Sequence, residues 1–371
     1  MEDDTPLTGL TVVSIEQAVA APLCTARLAD AGARVIKIER PQGETARHYD
    51  AVVHGASAYF VWLNRGKESA VLNLKDAADL ELLRRMLAKA DVLVQNLVPG
   101  AFGRLGLTPE TVLALNPRLI MLSIVGYGQD TDYADMRAYD MLIQAESGLC
   151  AITGTDDTPS KTGASVADIA TGMTAHAAIL EALIQRGITG KGKSIEVSMF
   201  DCLADWMNVP LLHFEQAGLI WGRNGLQHAS IYPYRSFKCA DGDVMVAVQT
   251  ADEWVRLCRD VLERPALAAD DRFDTNPKRS KNRSILDPEM EPVFASLTQS
   301  EAIARLDRAG LAFGRVCGVP DLSAHPSLRR IEGVANGQVY SMAAPPLHPK
   351  SAPAPIPDIG EQTDKIRTEF S

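Results

Sequence analysis

The chain lacks the patterns that mark redox or metal chemistry. Its six cysteines, at positions 24, 150, 202, 239, 258 and 317, form no Cys-x-x-Cys pair. Its seven histidines form no His-x-His or His-x-x-x-His pair. Neither a dithiol centre nor a metal site is therefore expected, and scattered thiols suit a reduced, cytoplasmic protein. No apolar run approaches the roughly 18 residues of a membrane span. The acidic opening MEDDTPLTGL has no basic-then-apolar leader, so neither membrane nor secretion is expected. An excess of positive charge is missing as well: 37 basic residues face 47 acidic ones, a net charge of −10. Nucleic acid is accordingly not an expected partner, although a local basic pocket for a phosphorylated ligand remains compatible.

Two catalytic fingerprints are also absent. No G-x-G-x-x-G opens the first strand–helix unit, where the chain reads QAVAAPLC, which argues against a dinucleotide-dependent dehydrogenase. Neither Ser123-Ile-Val-Gly126 nor Glu146-Ser147-Gly148 supplies the G-x-S-x-G elbow of a serine hydrolase. One motif is present and misleading. Residues 187–194, GITGKGKS, match the phosphate-binding loop G-x-x-x-x-G-K-[ST]. That loop needs a strand before it and a helix after it. The pattern here predicts the reverse order, so a helix-to-strand turn is expected.

What is present is an alternation of short apolar runs and helical periodicity. Strands are expected at 11–16, 34–40, 69–74, 91–95, 119–124 and 194–199, with helices at 23–31, 77–90 and 169–185 between them. Strands separated by helices of this length imply βαβ units and a mainly parallel, Rossmann-like sheet. A length of 371 residues argues for a second domain. After a turn-rich stretch at 222–236 comes a hairpin signal at Asp241-Gly242, then helical patterns near 251–263 and 299–309. The expected division is a large α/β domain over 1–205, a linker over 206–224, a smaller α+β domain over 225–330 and a strap over 331–371 returning to the large domain. The proline-rich run at 344–360 is expected to be extended.

Chemistry concentrates at one acid. Lys161-Thr-Gly-Ala-Ser-Val-Ala-Asp-Ile-Ala-Thr-Gly-Met173 places Asp168 where a small-residue loop becomes an apolar helix. An aspartate there is a favoured helix N-cap, which explains it without any function. The following helix is nearly uncharged, so its start is expected to be buried, and a buried acid needs a reason. Helix N–H donors would keep Asp168 ionised and could also stabilise an oxyanion on an acyl group attached to it. Spacing alone leaves both readings open.

Several blocks together resemble the family III CoA-transferases (CaiB/BaiF type), which include formyl-CoA transferase and the 2-methylacyl-CoA racemases. They are Ala20-Ala-Pro22, Gly32-Ala-Arg-Val-Ile-Lys-Ile-Glu-Arg-Pro41, Asn64-Arg-Gly-Lys67 and Leu72-Asn-Leu-Lys-Asp76. Ala90–Gly100, Arg104-Leu-Gly-Leu107, Asn116-Pro-Arg-Leu-Ile120, Gly126-Tyr-Gly-Gln129, Ala138-Tyr-Asp140 and the Lys161–Gly172 loop continue in family order. A weaker continuation runs through Pro233-Tyr234, Asp241-Gly242 and His325-Pro326. The resemblance implies coenzyme A as substrate with no tightly bound cofactor, an acyl-CoA donor, a carboxylic acid acceptor, and Asp168 as nucleophile. It implies CoA contacts at Ala20, Arg40, Leu72, Lys75, Asn96, Leu97, Arg104, Arg137 and Tyr139. The four cations suit phosphates but read equally as surface charge, and Leu72 and Leu97 read equally as core. It further implies a homodimer of two interlocked rings, with the active site between one chain's large domain and the other's small domain.

Departures from the family pattern bear on specificity. Val19-Ala-Ala-Pro22 stands where Gln-Ala-Gly-Pro is common, Ala138 replaces a glycine, and only the short Gly222-Arg-Asn-Gly225 stands in for the glycine-rich lid. Formyl or oxalate specificity therefore does not carry over directly. His228, Arg223, Tyr234 and Arg235 lie in the loop expected over the acyl group, and cations there would suit a second carboxylate. A dicarboxylic acid is the expected substrate, with His228 and Arg223 reading it. The alternatives are a racemase and a non-catalytic acyl-CoA-binding protein. The racemase pairs its aspartate with a histidine where this chain has Tyr139, and a phenol ordinarily loses its proton only near pH 10. An intact Asp168 argues against the binding protein.

Overall fold

The computed structural model describes residues 5–347 and 353–371, and the chain divides into two compact units. The first comprises residues 1–150, 161–212 and 329–371; the second comprises 151–160 and 213–328.

The first unit is built on strands β1 (Thr11–Ile15), β2 (Arg34–Glu39), β3 (Glu68–Val71), β4 (Val92–Gln95), β5 (Ile120–Val125) and β6 (Lys193–Ser198). They form one fully parallel sheet in the order β3-β2-β1-β4-β5-β6. This is the doubly wound arrangement, in which both faces are covered and strands read as continuous apolar runs. Successive residues feed opposite layers. Val12, Val35, Val92 and Ile120 join one core, while Val13, Ile36, Leu93 and Met121 join the other.

The intervening helices are α1 (Ala20–Asp30), α2 (Ala58–Asn64), α3 (Ala77–Lys89), α4 (Ala101–Arg104), α5 (Pro109–Leu115), α6 (Asp140–Glu146), α7 (Leu149–Ile152) and α8 (Val166–Thr189). Asp76 caps α3 by accepting from the amides of Ala78 and Asp79. Helix α8 is long and apolar enough to cross a membrane by composition alone. It is instead a core helix: it buries Ala167, Ala170, Gly172, Ala175 and Ala182, and it packs on α1, β5 and β6. The sequence predicted its strand-flanked end correctly. Gly190 closes α8 in the left-handed conformation and β6 follows, so the 187–194 motif is a turn.

Helices α9 (Met199–Trp206) and α10 (Asn208–Ala217) follow. The expected linker at 206–224 thus holds a helix in its first half, where Pro210 falls in the first turn and no glycine occurs before 218.

The second unit carries an antiparallel sheet of β7 (Tyr234–Lys238), β8 (Asp243–Ala247) and β9 (Ala312–Arg315). The β7–β8 hairpin turns at Asp241-Gly242 as its sequence predicts. Helices α11 (Ala251–Arg256), α12 (Asn276–Lys281), α13 (Arg283–Ala295) and α14 (Gln299–Arg308), with the short α15 (Val319–Ser323), complete it. Trp254, Phe237 and Phe294 sit in its core, the two phenylalanine rings 4.4 Å apart.

Residues 331–371, expected as a strap, are largely regular. Strands β10 (Arg330–Ala335) and β11 (Gln338–Ala343) form a hairpin turning at Asn336 and Gly337, both with positive φ, and the two-residue β12 (Ala354–Pro355) pairs with β10. An Asn-Gly pair is the standard signal for such a turn. Residues 348–352 of the proline-rich run lie outside the described residues. Helix α16 (Thr363–Glu369) buries Ile366 in the core beneath the sheet, followed by Phe370.

Helices α1 and α8 approach closely at Gly172. A Cβ on Gly172 would stand 2.6 Å from the Ala20 carbonyl oxygen and 3.0 Å from Leu23 Cβ. Gly172→Ala is therefore expected to force these helices apart and cost about 1–3 kcal/mol. In urea unfolding the midpoint falls while the slope is unchanged.

Candidate active site

In a doubly wound sheet, ligands bind outside the carboxyl ends of the strands where the order reverses, here between β1 and β4. A crevice of about 320 Å³ opens at that place. Its walls come from the strand ends: Glu16 and Gln17 after β1, Arg40 and Gly43 after β2, Leu72 and Lys75 after β3, and Leu97 after β4. Four residues singled out in the sequence, Arg40, Leu72, Lys75 and Leu97, thus line one cavity. Arg40 and Lys75 are exposed cations at its edge, whereas Leu72 is buried. Arg40 donates from Nε to the Gly43 carbonyl at 2.7 Å, which fixes the guanidinium at the mouth. Arg104 lies on α4 between the lining residues Ala101 and Leu105, exposed to solvent.

The Asn96 side chain is engaged by the backbone. It accepts from the Gln17 amide and donates to the Gln17 carbonyl, both at 2.9 Å, and so bridges the ends of β1 and β4. Its amide group is committed to the backbone of the next turn. Ala18 then adopts φ +63°, a left-handed conformation costly for a residue with a Cβ. The Ala18 amide donates to Glu44 Oε2 at 2.8 Å. Ala20, 2% exposed, opens α1 immediately after this turn.

Below the turn lies a chain of fully buried charges that the sequence did not reveal. Lys37 Nζ binds Glu44 at 2.7 Å and Glu16 at 3.3 Å, and Lys67 Nζ binds Glu16 at 2.7 Å. Lys67 also donates to the Pro22 carbonyl, Thr25 Oγ1 and Asn64 Oδ1. Burial works against the charge on Glu16, but Lys67 and Lys37 outweigh it and hold the carboxyl at about 2. Burial brings Lys67 down to about 8, with Glu16 opposing. One sequence signal was Lys37, a lysine set within the apolar run of β2.

Asp168 is not the cap of α8. The helix starts two residues earlier, at Val166, so Asp168 lies in its first turn. The Ala167 and Asp168 amides both donate to Asp140 Oδ1, at 2.8 and 3.4 Å. Among the described residues nothing donates to the Asp168 carboxylate. Burial, and secondarily the charge of Asp140, raise its pKa from the usual 3.8 to about 7. The expectation that helix amides would hold Asp168 ionised is therefore corrected: those donors are already taken. Asp168 stands one helical turn before Gly172, which touches the start of α1.

Arg137 and Tyr139 do not line the crevice. Both precede α6 and are exposed, Tyr139 at 67%. In the second unit, Arg223 is spent on backbone: it donates to the carbonyls of Thr155 and Asp156 at 2.7 and 2.6 Å. Arg235 pairs with Asp287 and Glu291. His228 stacks on Tyr234, ring centres 5.4 Å apart, and its Nδ1 accepts from the amides of Ser230 and Ile231. That geometry places its proton on Nε2.

A parallel sheet with a cation-edged crevice at its switch point has the form of a site for a phosphorylated ligand. Residues 7–363 match CoA-transferase family III, and the chain belongs to that family. The acetyl-CoA:oxalate CoA-transferase of Acetobacter aceti is 34% identical over 99% of this chain and 96% of its own length. Human succinyl-CoA:glutarate CoA-transferase is 32% identical over 96% of this chain and 80% of its own. The crystal structure of a CaiB/BaiF family protein from Brucella suis matches with a TM-score of 0.83 at 32% identity, covering 99% of this chain and 100% of that one. The chain is a CoA-transferase.

The raised pKa of Asp168 has a thermodynamic consequence. The folded state holds the proton more tightly than the unfolded chain, so its contribution is complete below about pH 4 and is lost as pH rises to about 7. At about 1.4 kcal/mol per pH unit, the loss is at most about 4 kcal/mol and about 2–3 allowing for residual solvent. Asp168→Asn is expected to be more stable than the native chain at pH 8 by about that amount, with the gap closing at pH 4. Denaturant titrations at the two pH values measure it.

Proposed function

We propose that this chain moves CoA between carboxylic acids through covalent states of Asp168, with dicarboxylic acids as its substrates. The observation that carries the reading is the bare, half-buried Asp168 carboxylate, whose pKa of about 7 makes it a stronger nucleophile than an ordinary aspartate while still ionised in good part at neutral pH. It attacks the thioester carbonyl of the donor, forming an acyl-aspartyl anhydride and expelling CoA thiolate. The thiolate attacks the aspartyl carbonyl, giving an aspartyl-CoA thioester and releasing the donor acid. The acceptor carboxylate then attacks this thioester, and the freed thiolate takes the acceptor acyl group from the second anhydride. Asp168 is regenerated and no proton or electron is left over. Arg40, Lys75 and Arg104 at the crevice edge, with Leu72 and Leu97 along it, hold the CoA; Ala20, Arg137 and Tyr139 complete that set, and Asn96 acts through the Gln17 turn.

The dicarboxylic acid rests chiefly on the relatives, whose names give oxalate, succinate, glutarate and mesaconate. Of the side chains expected to read a second carboxylate, Arg223 and Arg235 are engaged elsewhere, and His228 presents its Nε2–H. A homodimer accounts for α10, which buries none of its residues and exposes Val209, Leu211, Leu212 and Phe214. Light scattering during gel filtration is expected to give twice the chain mass.

The decisive experiment incubates the protein with succinyl-CoA, quenches, digests and weighs the peptide containing Asp168. A CoA or acyl adduct is expected, absent in Asp168→Ala. Its rate of formation rises with pH, half-maximal near 7, because only the ionised carboxylate attacks. No adduct, with exchange of the alpha hydrogen of a 2-methylacyl-CoA in deuterated water, would establish a racemase. Acceptance of only monocarboxylic or aromatic donors would end the dicarboxylic reading.

A further inference from the structure

Helix α8 begins without help from its own cap. Ser165, at the capping position, makes no side-chain hydrogen bond to the helix. Asp140, at the start of α6, supplies the missing acceptor through Oδ1. Its other oxygen, Oδ2, accepts from Gln144 Nε2 at 2.8 Å. Gln144 is fully buried, and its Oε1 accepts from both the amide and the hydroxyl of Thr162, each at 3.0 Å. One aspartate and one glutamine therefore tie α6 to both ends of the 162–168 loop.

We propose that Asp140 and Gln144 are positioning residues for acyl transfer, capping α8 from another helix so that the Asp168 carboxylate is left bare toward the thioester. The inference rests on the covalent role of Asp168 argued above. A carboxylate in the first turn of a helix ordinarily gains from its free amides and from the helix dipole, and each such interaction lowers its basicity. Asp140 takes those amides first and adds a like charge beside Asp168. Gln144 keeps Asp140 in place by donating to it, and in turn clamps the entry to the loop through Thr162.

The other ionisable groups packed along α8 do not compete for this role. Cys24 of α1 and Cys202 of α9 have thiol pKa values pushed up by burial, as does Tyr127 after β5. Glu196 of β6 accepts from the Gln129 amide, and β5 itself carries no charged residue. Asp140 is the charge that acts on Asp168.

The test follows adduct formation on Asp168 as a function of pH in the native chain, in Asp140→Asn, and in Asp140→Asn combined with Gln144→Glu. The double variant keeps every hydrogen bond, with donor and acceptor exchanged only between positions 140 and 144, and moves the charge one turn away from Asp168. The single variant sets two amide groups against each other. It is expected to lower kcat at least tenfold with KM for the acyl-CoA within about twofold, and to move the pH midpoint down by about one unit. The double variant is expected to recover most of kcat while keeping the lowered midpoint. Gln144→Met keeps the Asp140 charge but removes both its donor and the acceptor for Thr162, and is expected to lower kcat without the downward shift of the midpoint. Should the single variant fail to fold, the double variant and Gln144→Met decide. Folded variants with native kcat and an unmoved midpoint would overturn the proposal and leave Asp140 a structural cap. An unlabelled Asp168 in the native chain would instead overturn the covalent reading on which it stands.

Discussion

The ammonium group of Lys67 has no access to water, and much of the first unit is arranged to satisfy it. It takes Glu16 from the end of β1, a carbonyl and a hydroxyl from α1, and Asn64 from α2. Glu16 is shared with Lys37, and Lys37 with Glu44, whose free oxygen holds the Ala18 amide. One chain of alternating charge thus joins β1, β2, α1 and α2 to the turn that starts the crevice. Buried ion pairs seldom stabilise a fold more than apolar residues would, and removing one partner costs about 3–5 kcal/mol. What this chain does supply is direction. A left-handed alanine costs about 1–2 kcal/mol and persists only where its surroundings dictate it. Glu44 and Asn96 dictate it here, and the start of α1 is set as a result.

From that fixed start the geometry passes to the nucleophile through small residues. Gly172 lets α8 lie against the Ala20 carbonyl, and Asp168 is one turn away. The crevice turn is held by Glu44 and Asn96, the α8 turn by the Asp140 carboxylate and, through Thr162, by Gln144. Only the second arrangement spares the Asp168 carboxylate from hydrogen bonding.

This difference explains which parts of the molecule were readable in the sequence. Strands buried on both faces are apolar runs, and helices between them have their own period, so all six strands of the parallel sheet were legible within about two or three residues. The sites missed were those where local pattern and long-range partner disagree. Helix α13 carries Pro288 and Pro292 and was not recognisable as a helix. The β10–β11 hairpin had its Asn336-Gly337 signal, but the neighbouring prolines masked it. Asp168 looks like a cap because aspartate before an apolar helix usually is one; its actual relation to α8 depends on Asp140, 28 residues away. Arg223, singled out as a cation, and Asn96, singled out by the family resemblance, are bonded to local carbonyls and to a backbone turn, which no sequence pattern shows.

The charges divide the work of catalysis. Arg40, Lys75 and Arg104 stand at or near the solvent edge, where a phosphate neutralises them at little desolvation cost. Asp168 stands where desolvation is the dominant effect and no donor offsets it. Interactions that hold only the distant part of a substrate favour reaction when they bring the reacting atoms into a setting those atoms would not choose alone. A CoA ester anchored through its nucleotide end satisfies that condition. On the covalent reading proposed above, its thioester is carried to a carboxylate that gains by bonding, first to an acyl group and then to the thiol. The raised proton affinity of Asp168 and, on the covalent reading, its readiness to form an anhydride therefore have one cause: a carboxylate that no donor among the described residues satisfies.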